Sequence, residues 1–359
     1  MGVPRWKDLA RKLALMSGAT VFALSLAECA FRAHQSREAK GYDDTWHAQM
    51  RAMNGTIYRR SDDATLVYEP VPNASVPMSY GEAGFNAQSM RDDREHSVAP
   101  VPGRTRVAVL GDSIVWGEDL PLDRTLPRAL ERELGADRFE VLGFGVTGYD
   151  TVQEAEWYRR TVRAFHPAIV ILVYCLNDIF IASGPFNKWA TTAELQVKED
   201  QEALANSLAP VREETIEDLS QHEEEHATFH LFARARTVWR VRRYEHDPAY
   251  TDNYILSYGQ KDIFNRTSRA LTQLANDVRE DGATAHLVIS PIIRSWSGYH
   301  WRGIHEQVAT AARAAGFVVH DPLDTLRASY GEGQIRVDSL HFNAAGTNAV
   351  AAFLASKVR

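Results

Sequence analysis

The sequence has little cysteine and no excess of positive charge. Its 359 residues include two cysteines, Cys29 in an N-terminal apolar run and Cys175 at the end of a predicted buried strand. Cysteines so placed are not expected to meet, so we predict no disulfide, and the count assigns no redox compartment. The formal net charge is -7, which gives no basic field for nucleic acid, so no nucleic-acid partner is expected.

Metal-ligand motifs are also missing. None of the 13 histidines stands in an H-E-x-x-H pattern or a comparable ligand spacing. His222 and His226 are four residues apart in a predicted helix, but the surrounding glutamates are typical of a solvated face. We therefore expect no metal and no cofactor.

The chain does begin with a basic segment followed by an apolar run. Four basic residues between Arg5 and Lys12 precede the uncharged stretch 13–27. This pattern predicts a signal anchor or signal peptide over residues 1–33, and a packed amphipathic helix is the alternative. An anchor is favoured, although residues 25–27 would serve as a cleavage site. Because basic flanks stay in the cytoplasm, the rest of the chain is expected outside it, membrane-anchored by this helix or secreted after cleavage.

The remainder divides into an extension and a main domain. The extension covers residues 34–103. Residues 34–60 are polar and helix-prone, which predicts a stalk, and prolines and glycines interrupt the apolar pieces between Leu66 and Ala99, which predicts turns and short strands. Within residues 104–359, apolar runs predict buried parallel strands at 107–110, 139–142, 168–174 and 285–289. Helical patterns lie between or after them, at 125–134, 151–165, 264–280, 301–315 and 350–358. This alternation predicts an α/β fold with a mostly parallel sheet between two helical layers.

One long segment breaks the alternation. Residues 180–260 carry charged helical patterns and no strand pattern. An insertion after a strand's carboxyl end lies over the region where open α/β sheets bind ligands, which favours a lid or a substrate-selecting cap. A solvated helical hairpin with only a packing role is the alternative.

Ser113 is the first candidate for chemistry. It follows the first predicted strand in Gly111-Asp112-Ser113, and a helical pattern comes after the loop. A serine there can serve as a nucleophile if a base removes its proton. The motif is not Gly-x-Ser-x-Gly, because Val115 stands at its last position. By itself the turn is weak evidence, since Asp112 is also a good helix cap.

The candidate base lies near the C-terminus, in Asp338-Ser-Leu-His341. A spacing of three lets the Asp338 carboxylate hold the His341 imidazole within one turn, which fixes the tautomer and stabilises the imidazolium. A capping pair without chemistry is the alternative for these two residues alone.

Two loops offer donors for an oxyanion. Gly145 follows the second predicted strand, and a glycine lets a backbone N–H approach a ligand closely. Asn177 follows the third strand and offers a side-chain amide. Cys175 stands beside it, but its place next to a buried apolar strand favours packing over nucleophilic chemistry.

Taken together, Ser113, Gly145, Asn177 and His341 stand in the order of the four sequence blocks of the SGNH (GDSL-type) hydrolases, and residues 105–350 resemble that family. The resemblance implies a flavodoxin-like three-layer α/β/α fold. It also implies Ser113 as nucleophile, His341 as base, Asp338 as its partner, and an oxyanion hole formed by Ser113, Gly145 and Asn177.

Other parts of the sequence qualify the resemblance. Gly143 and Cys175 depart from the commonest asparagine and glycine of the family blocks. The segment from Gly84 to Arg94 is similar to membrane-anchored bacterial members of the family.

These features lead to three functional hypotheses. The first is a serine esterase that removes an acyl group, plausibly acetyl, from a small-molecule, carbohydrate or lipid ester. The second is an O-acyltransferase that uses the same residues on a surface glycan. The third is a catalytically silent binding protein on this fold, which the filled catalytic positions disfavour. The sequence leaves the oligomeric state open.

Overall fold

Four short strands precede the main sheet. In the computed structural model, which describes residues 56–78, 80–179, 253–293, 296 and 298–359, they form two antiparallel pairs. β1 (Tyr58–Arg60) pairs with β2 (Tyr68–Pro70), and β3 (Ser75–Met78) pairs with β4 (Gly81–Gly84). Gly84 has to be glycine, because a Cβ there would lie 2.1 Å from the Ala74 carbonyl oxygen. The described part of the predicted extension thus consists of short strands and turns. This includes residues 56–60, predicted as the end of the stalk, which instead lead into β1 because the Ile57 and Tyr58 side chains are fully buried.

The main domain alternates strands with helices. In chain order the elements are β5 (Thr105–Gly111), α1 (Ser113–Trp116), α2 (Leu126–Leu134), β6 (Phe139–Gly145), α3 (Thr151–Arg160), β7 (Ile169–Cys175), α4 (Asn253–Gly259), α5 (Lys261–Glu280), β8 (Thr284–Ser290), α6 (Arg302–Ala315), β9 (Val318–His320), α7 (Leu323–Ser329), α8 (Glu332–Ile335) and α9 (Ala344–Val358).

β5 to β9 form one parallel sheet in the spatial order β6-β5-β7-β8-β9. Counted along the chain this is the order 2-1-3-4-5 of flavodoxin-like folds, which bind ligands beyond the carboxyl ends of the strands where the order reverses. The four predicted strands are confirmed. β9 escaped prediction because it is only three residues long and lies at the sheet edge, with Val318 exposed.

Helices cover both faces of the sheet. Alternate strand residues such as Val107 and Val109 point to one face, where they share a core with α2 and α9. The residues between them, such as Ala108 and Leu110, are fully buried on the other face, on which α3 and α6 each pack against α5. The predicted three-layer α/β/α architecture is confirmed.

Two predicted helices differ from the observed ones by five residues or more at one end. The helix predicted over 151–165 ends at Arg160 and is followed by a 3₁₀ turn, Val162–Phe165. The last helix begins at Ala344 rather than at residue 350, because the Asn343 side chain accepts the N–H groups of Ala345 and Gly346 as a cap.

Several predictions lie outside the described residues: the signal anchor over 1–33, the stalk up to residue 55, Cys29, and the insertion from 180 to 252. Within the described ranges, no helix combines the length and apolar character needed to span a membrane. The membrane anchor therefore stays a prediction from sequence.

Candidate active site

Ser113 lies at the carboxyl end of β5, beside the point where the strand order reverses. Gly111 ends the strand, and a Cβ there would lie 2.6 Å from the Val115 side chain, so only glycine allows this tight turn. Asp112 caps α1 by accepting the Ile114 N–H at 2.9 Å, which confirms its capping role. Ser113 opens the helix with 8% of its surface exposed. The turn thus presents the hydroxyl at the sheet edge.

The structure joins Ser113, His341 and Asp338 by hydrogen bonds. Ser113 Oγ lies 2.8 Å from His341 Nε2, and His341 Nδ1 lies 2.7 Å from Asp338 Oδ2. The other oxygen, Asp338 Oδ1, accepts the backbone N–H groups of Leu340 and His341. Since Asp338 holds Nδ1–H, Nε2 is the ring nitrogen free to accept a proton from Ser113.

Negative charge around His341 favours its protonated form. Burial alone would lower the pKa of His341, but the hydrogen bond and charge of Asp338, with the charges of Glu118 and Asp112, raise it to about 9. Burial would raise the pKa of Asp338, but its hydrogen bond with His341 lowers it to about 2. The pair is therefore poised to hold a proton on the imidazole as an ion pair with Asp338.

Gly145 is packed against the helix that Ser113 begins. It ends β6 opposite Gly111 of β5. A Cβ at Gly145 would lie 2.2 Å from the Trp116 backbone nitrogen and 2.6 Å from the Val115 carbonyl carbon. No side chain fits at this position, so the Gly145 backbone is held next to the turn that carries Ser113.

Asn177 lies in the 3₁₀ turn Leu176–Ile179 that follows β7. Asp178 holds this turn, because its Oδ2 accepts the Cys175 N–H at 3.1 Å. Burial raises the pKa of Asp112, against the lowering effect of its hydrogen bonds with Ile114 and the Asn177 side chain. Asn177 thus contacts the residue before Ser113, while its Oδ1 has no hydrogen-bond partner.

The two departures from the family blocks have structural explanations. A Cβ at Gly143 would lie 2.6 Å from the Pro127 ring, so glycine permits α2 to pack closely on β6. Cys175 is a free thiol in the hydrophobic core, and burial raises its pKa well above the usual range. The interpretation of Cys175 as a packing residue is confirmed.

Sequence analysis did not predict a role for Glu118, the first acidic residue after Ser113. Glu118 follows α1, and its N–H donates to the Ser113 carbonyl at 3.1 Å. Its Oε2 lies 3.5 Å from Thr147 Oγ1, in the loop after Gly145. Burial raises the pKa of Glu118, against the lowering charge of His341. Its position five residues after Ser113 matches no catalytic motif, so nothing in the sequence singles it out.

Within the residues that the structure describes, no group of three or more His, Cys, Asp or Glu side chains is arranged to hold a metal ion. The pair His222 and His226 lies outside those residues.

Comparisons with known proteins follow the same lines. The chain is similar to the lipase/acylhydrolase from Enterococcus faecalis (12% identity, TM-score 0.40, covering 71% of this chain and 95% of that one). It is also similar to a GDSL-like lipase from Bacteroides thetaiotaomicron VPI-5482 (11%, TM-score 0.38, 72% and 89%) and to a catalytic mutant of an acetylxylan esterase from Geobacillus stearothermophilus (12%, TM-score 0.39, 71% and 94%). No curated protein matches the sequence. The model of the GDSL-like lipase/acylhydrolase family matches residues 109–349, and the chain belongs to that family.

Proposed function

We propose that this protein is a serine esterase that cleaves an acyl ester through an acyl-enzyme on Ser113. The observation that supports this most is the 2.8 Å contact between Ser113 Oγ and His341 Nε2, continued at 2.7 Å to Asp338. A serine hydroxyl needs a base to become a nucleophile, and an oriented imidazole is that base.

In the proposed reaction, His341 Nε2 takes the Ser113 proton while Oγ bonds to the ester carbonyl carbon. The imidazolium, stabilised by Asp338, then gives this proton to the ester oxygen of the leaving alcohol. The bond between that oxygen and the former carbonyl carbon breaks, and the alcohol leaves. Water then attacks the acyl-enzyme while His341 takes a proton from it. The imidazolium returns this proton to Ser113 Oγ as the bond between Oγ and the acyl carbon breaks, and the carboxylic acid leaves. No cofactor enters either step.

The carbonyl oxygen becomes an anion in each tetrahedral intermediate and needs fixed donors. We assign them to the N–H groups of Ser113 and Gly145 and to the Asn177 side-chain amide. Gly145 backs onto α1, and Asn177 contacts the neighbour of Ser113. Loss of one such donor typically costs about 100- to 1,000-fold in rate.

The proposed substrate is an acyl ester of a carbohydrate or lipid, with acetyl as the proposed acyl group. The proposed location is outside the cytoplasm, anchored by residues 1–33 or released after cleavage. Both rest on the sequence: the family resemblance for the ester, and the basic-apolar N-terminus for the location.

The test is hydrolysis of a panel of p-nitrophenyl esters from acetate to palmitate and of acetylated xylan, by the full-length chain in detergent. We expect release of free acid that falls by at least about 1,000-fold in Ser113→Ala. Ser356→Ala, at an exposed position on α9, is the matched control and should retain full activity.

Product analysis with a glycan acceptor distinguishes hydrolysis from transfer. Free acid as the sole product supports the esterase, whereas acyl glycan as the main product would replace it with the O-acyltransferase alternative. A folded wild type that turns over no ester in either assay would favour the silent binding protein.

A further inference from the structure

The N-terminal extension, defined here as residues 56–96, lies outside the residues 109–349 that match the family. It nevertheless contacts two loops beside the candidate active site. One is the 116–120 loop, which ends the helix begun by Ser113. The other is the 146–149 loop, which follows Gly145. Each loop is held through its backbone by side chains of the extension.

Arg91 holds the 116–120 loop. Its Nη1 donates to the carbonyl oxygens of Trp116 and Gly117 at 2.6 and 2.7 Å, and its Nη2 donates to that of Leu120 at 2.6 Å. The guanidinium lies 4.7 Å from the Trp116 ring centroid and is largely buried. One positive charge thus gathers three carbonyl groups at the end of the Ser113 helix.

Two tyrosine hydroxyls hold the 146–149 loop at Thr147. The Thr147 N–H donates to Tyr58 Oη at 3.2 Å, and the Tyr68 hydroxyl donates to the Thr147 carbonyl oxygen at 2.7 Å. Thr147 is two residues after Gly145, so both backbone groups of one residue in this loop are fixed by the extension. The Tyr149 hydroxyl in turn donates to the Tyr68 carbonyl at 2.6 Å.

Trp116 connects the extension to Gly145. Its side chain is fully buried and packs on Phe85 and Tyr58 of the extension, with ring centroids 4.8 and 6.4 Å apart. Its backbone nitrogen is the atom that would lie nearest to a Cβ at Gly145, at 2.2 Å. A displacement of Trp116 would therefore change the space between Gly145 and the Ser113 turn.

We propose that the extension is part of the active-site scaffold, with Arg91, Tyr58 and Tyr68 as positioning residues for the Ser113 and Gly145 N–H groups. This inference rests on the proposed function, because those N–H groups matter only where an oxyanion forms. Oxyanion donors act through preorganisation. A shift of these loops by a fraction of an ångström therefore lowers the catalytic rate without weakening substrate binding.

The test removes single hydroxyls. Loss of Arg91 would break three hydrogen bonds at once and risk unfolding, whereas Tyr68→Phe and Tyr58→Phe keep the rings and the packing. Tyr158→Phe is the matched control, because the Tyr158 hydroxyl makes a comparable 2.9 Å hydrogen bond to Asp281, just ahead of the amino end of β8.

The measurements are kcat per titrated active serine, KM for p-nitrophenyl acetate, and the inhibition constant of an alkyl boronic acid that mimics the tetrahedral intermediate. We expect kcat and boronate affinity to fall together by about tenfold in Tyr68→Phe and further in the double variant, with KM nearly unchanged. Tyr158→Phe should leave all three values unchanged.

The alternative result is a purely structural role. If Tyr58→Phe, Tyr68→Phe and the double variant lower the melting temperature but keep wild-type kcat and boronate affinity, the extension is only a packing element and the inference is wrong. A folded wild type that neither hydrolyses ester nor titrates with a serine probe would overturn the proposed function, and this inference with it.

Discussion

The two halves of the candidate site are built in different ways. The histidine half, residues 338–343, is organised by its own short segment. Asp338 holds the backbone N–H and the ring of His341, and Asn343 caps the following helix. The serine half, residues 111–120 and 143–149, relies on side chains from Tyr58 to Arg91, far away in the sequence.

Even the longer-range contacts of the two halves differ in kind. The histidine half has a backbone contact of this sort, from the Ile293 N–H to the Ser339 carbonyl at 2.7 Å. The serine half has a buried arginine, two tyrosine hydroxyls and an aromatic cluster on Trp116. The side chains that orient the base come from its own segment, whereas those that hold the loops of the serine half come from the N-terminal extension.

The largest effect on catalysis is expected from substitutions in the histidine half. His341→Gln removes the proton acceptor and should lower kcat by about 10⁴-fold or more, and Asp338→Asn should cost about 10³- to 10⁴-fold through loss of the correct tautomer. Steady-state hydrolysis of p-nitrophenyl acetate measures both. Asp324→Asn, at an exposed ion pair with Arg302, is the control. A loss below tenfold in His341→Gln would remove it as the base.

The next largest effect on catalysis is expected from a substitution within the serine half. Gly145→Ala places a Cβ 2.2 Å from the Trp116 nitrogen, so β6 and α1 have to separate. We expect kcat to fall by about 100- to 1,000-fold, as for loss of an oxyanion donor. Gly303→Ala is the control, because a Cβ at this helical position meets nothing within 4 Å. Equal activity of the two variants would contradict the placement of Gly145.

A smaller effect is expected from the charge of Glu118, in the serine half, on the pKa of His341, in the histidine half. Catalysis needs neutral His341, and its pKa is raised to about 9. Therefore kcat/KM should rise about tenfold per pH unit below pH 9 and level off above it. Glu118→Gln removes one of the charges that raise the pKa of His341, so the rise should move to lower pH and activity at pH 7 should increase.

The control for this prediction is Glu133→Gln, which changes an exposed carboxylate near the end of α2. It should leave the pH profile of kcat/KM unchanged. A profile of Glu118→Gln that coincides with the wild type would show that the serine half does not tune the base.

The smallest effect on catalysis is expected at the sheet edge, away from both halves. His286 and His320 stack there, with Nδ1 of His286 2.9 Å from Nε2 of His320. Burial and the charges of His286 and Lys357 lower the pKa of His320 from 6.5 to about 4. Between these values the unfolded chain binds more protons at this residue, so the contribution of His320 to the free energy of unfolding falls by about 3 kcal/mol as pH drops from 6.5 to 4 and is level above 6.5.

Urea unfolding at pH 7 and pH 4.5 measures this effect. His320→Asn should lose much of the pH dependence, while His166→Asn, at an exposed position with φ of 49° that asparagine tolerates, should keep it. Neither substitution should alter kcat per active serine at pH 7. Identical pH dependence in wild type and His320→Asn would show that the pair does not act in this way.

The difference between local contacts, as in the histidine half, and contacts with distant residues, as in the serine half, also decides which features could be predicted from the sequence. Strands β5 to β8 were predicted because their buried residues form continuous apolar runs, and the Asp338–His341 pair because the two residues stand three positions apart. Arg91, Tyr58 and Tyr68 were not, because an arginine in a loop or a tyrosine at the start of a three-residue strand carries no pattern that indicates its distant partner. Glu118 was missed for the same reason, and β9 because three residues at a sheet edge show too short an alternation.

Ser113 as the nucleophile is tested most directly by labelling the full-length protein with a fluorophosphonate and mapping the modified peptide by mass spectrometry. We predict one phosphonyl group per chain, on the peptide that contains Ser113, and no labelling of Ser113→Ala. A folded wild type that stays unlabelled, or that carries the label on another residue and keeps it in Ser113→Ala, would contradict the assignment.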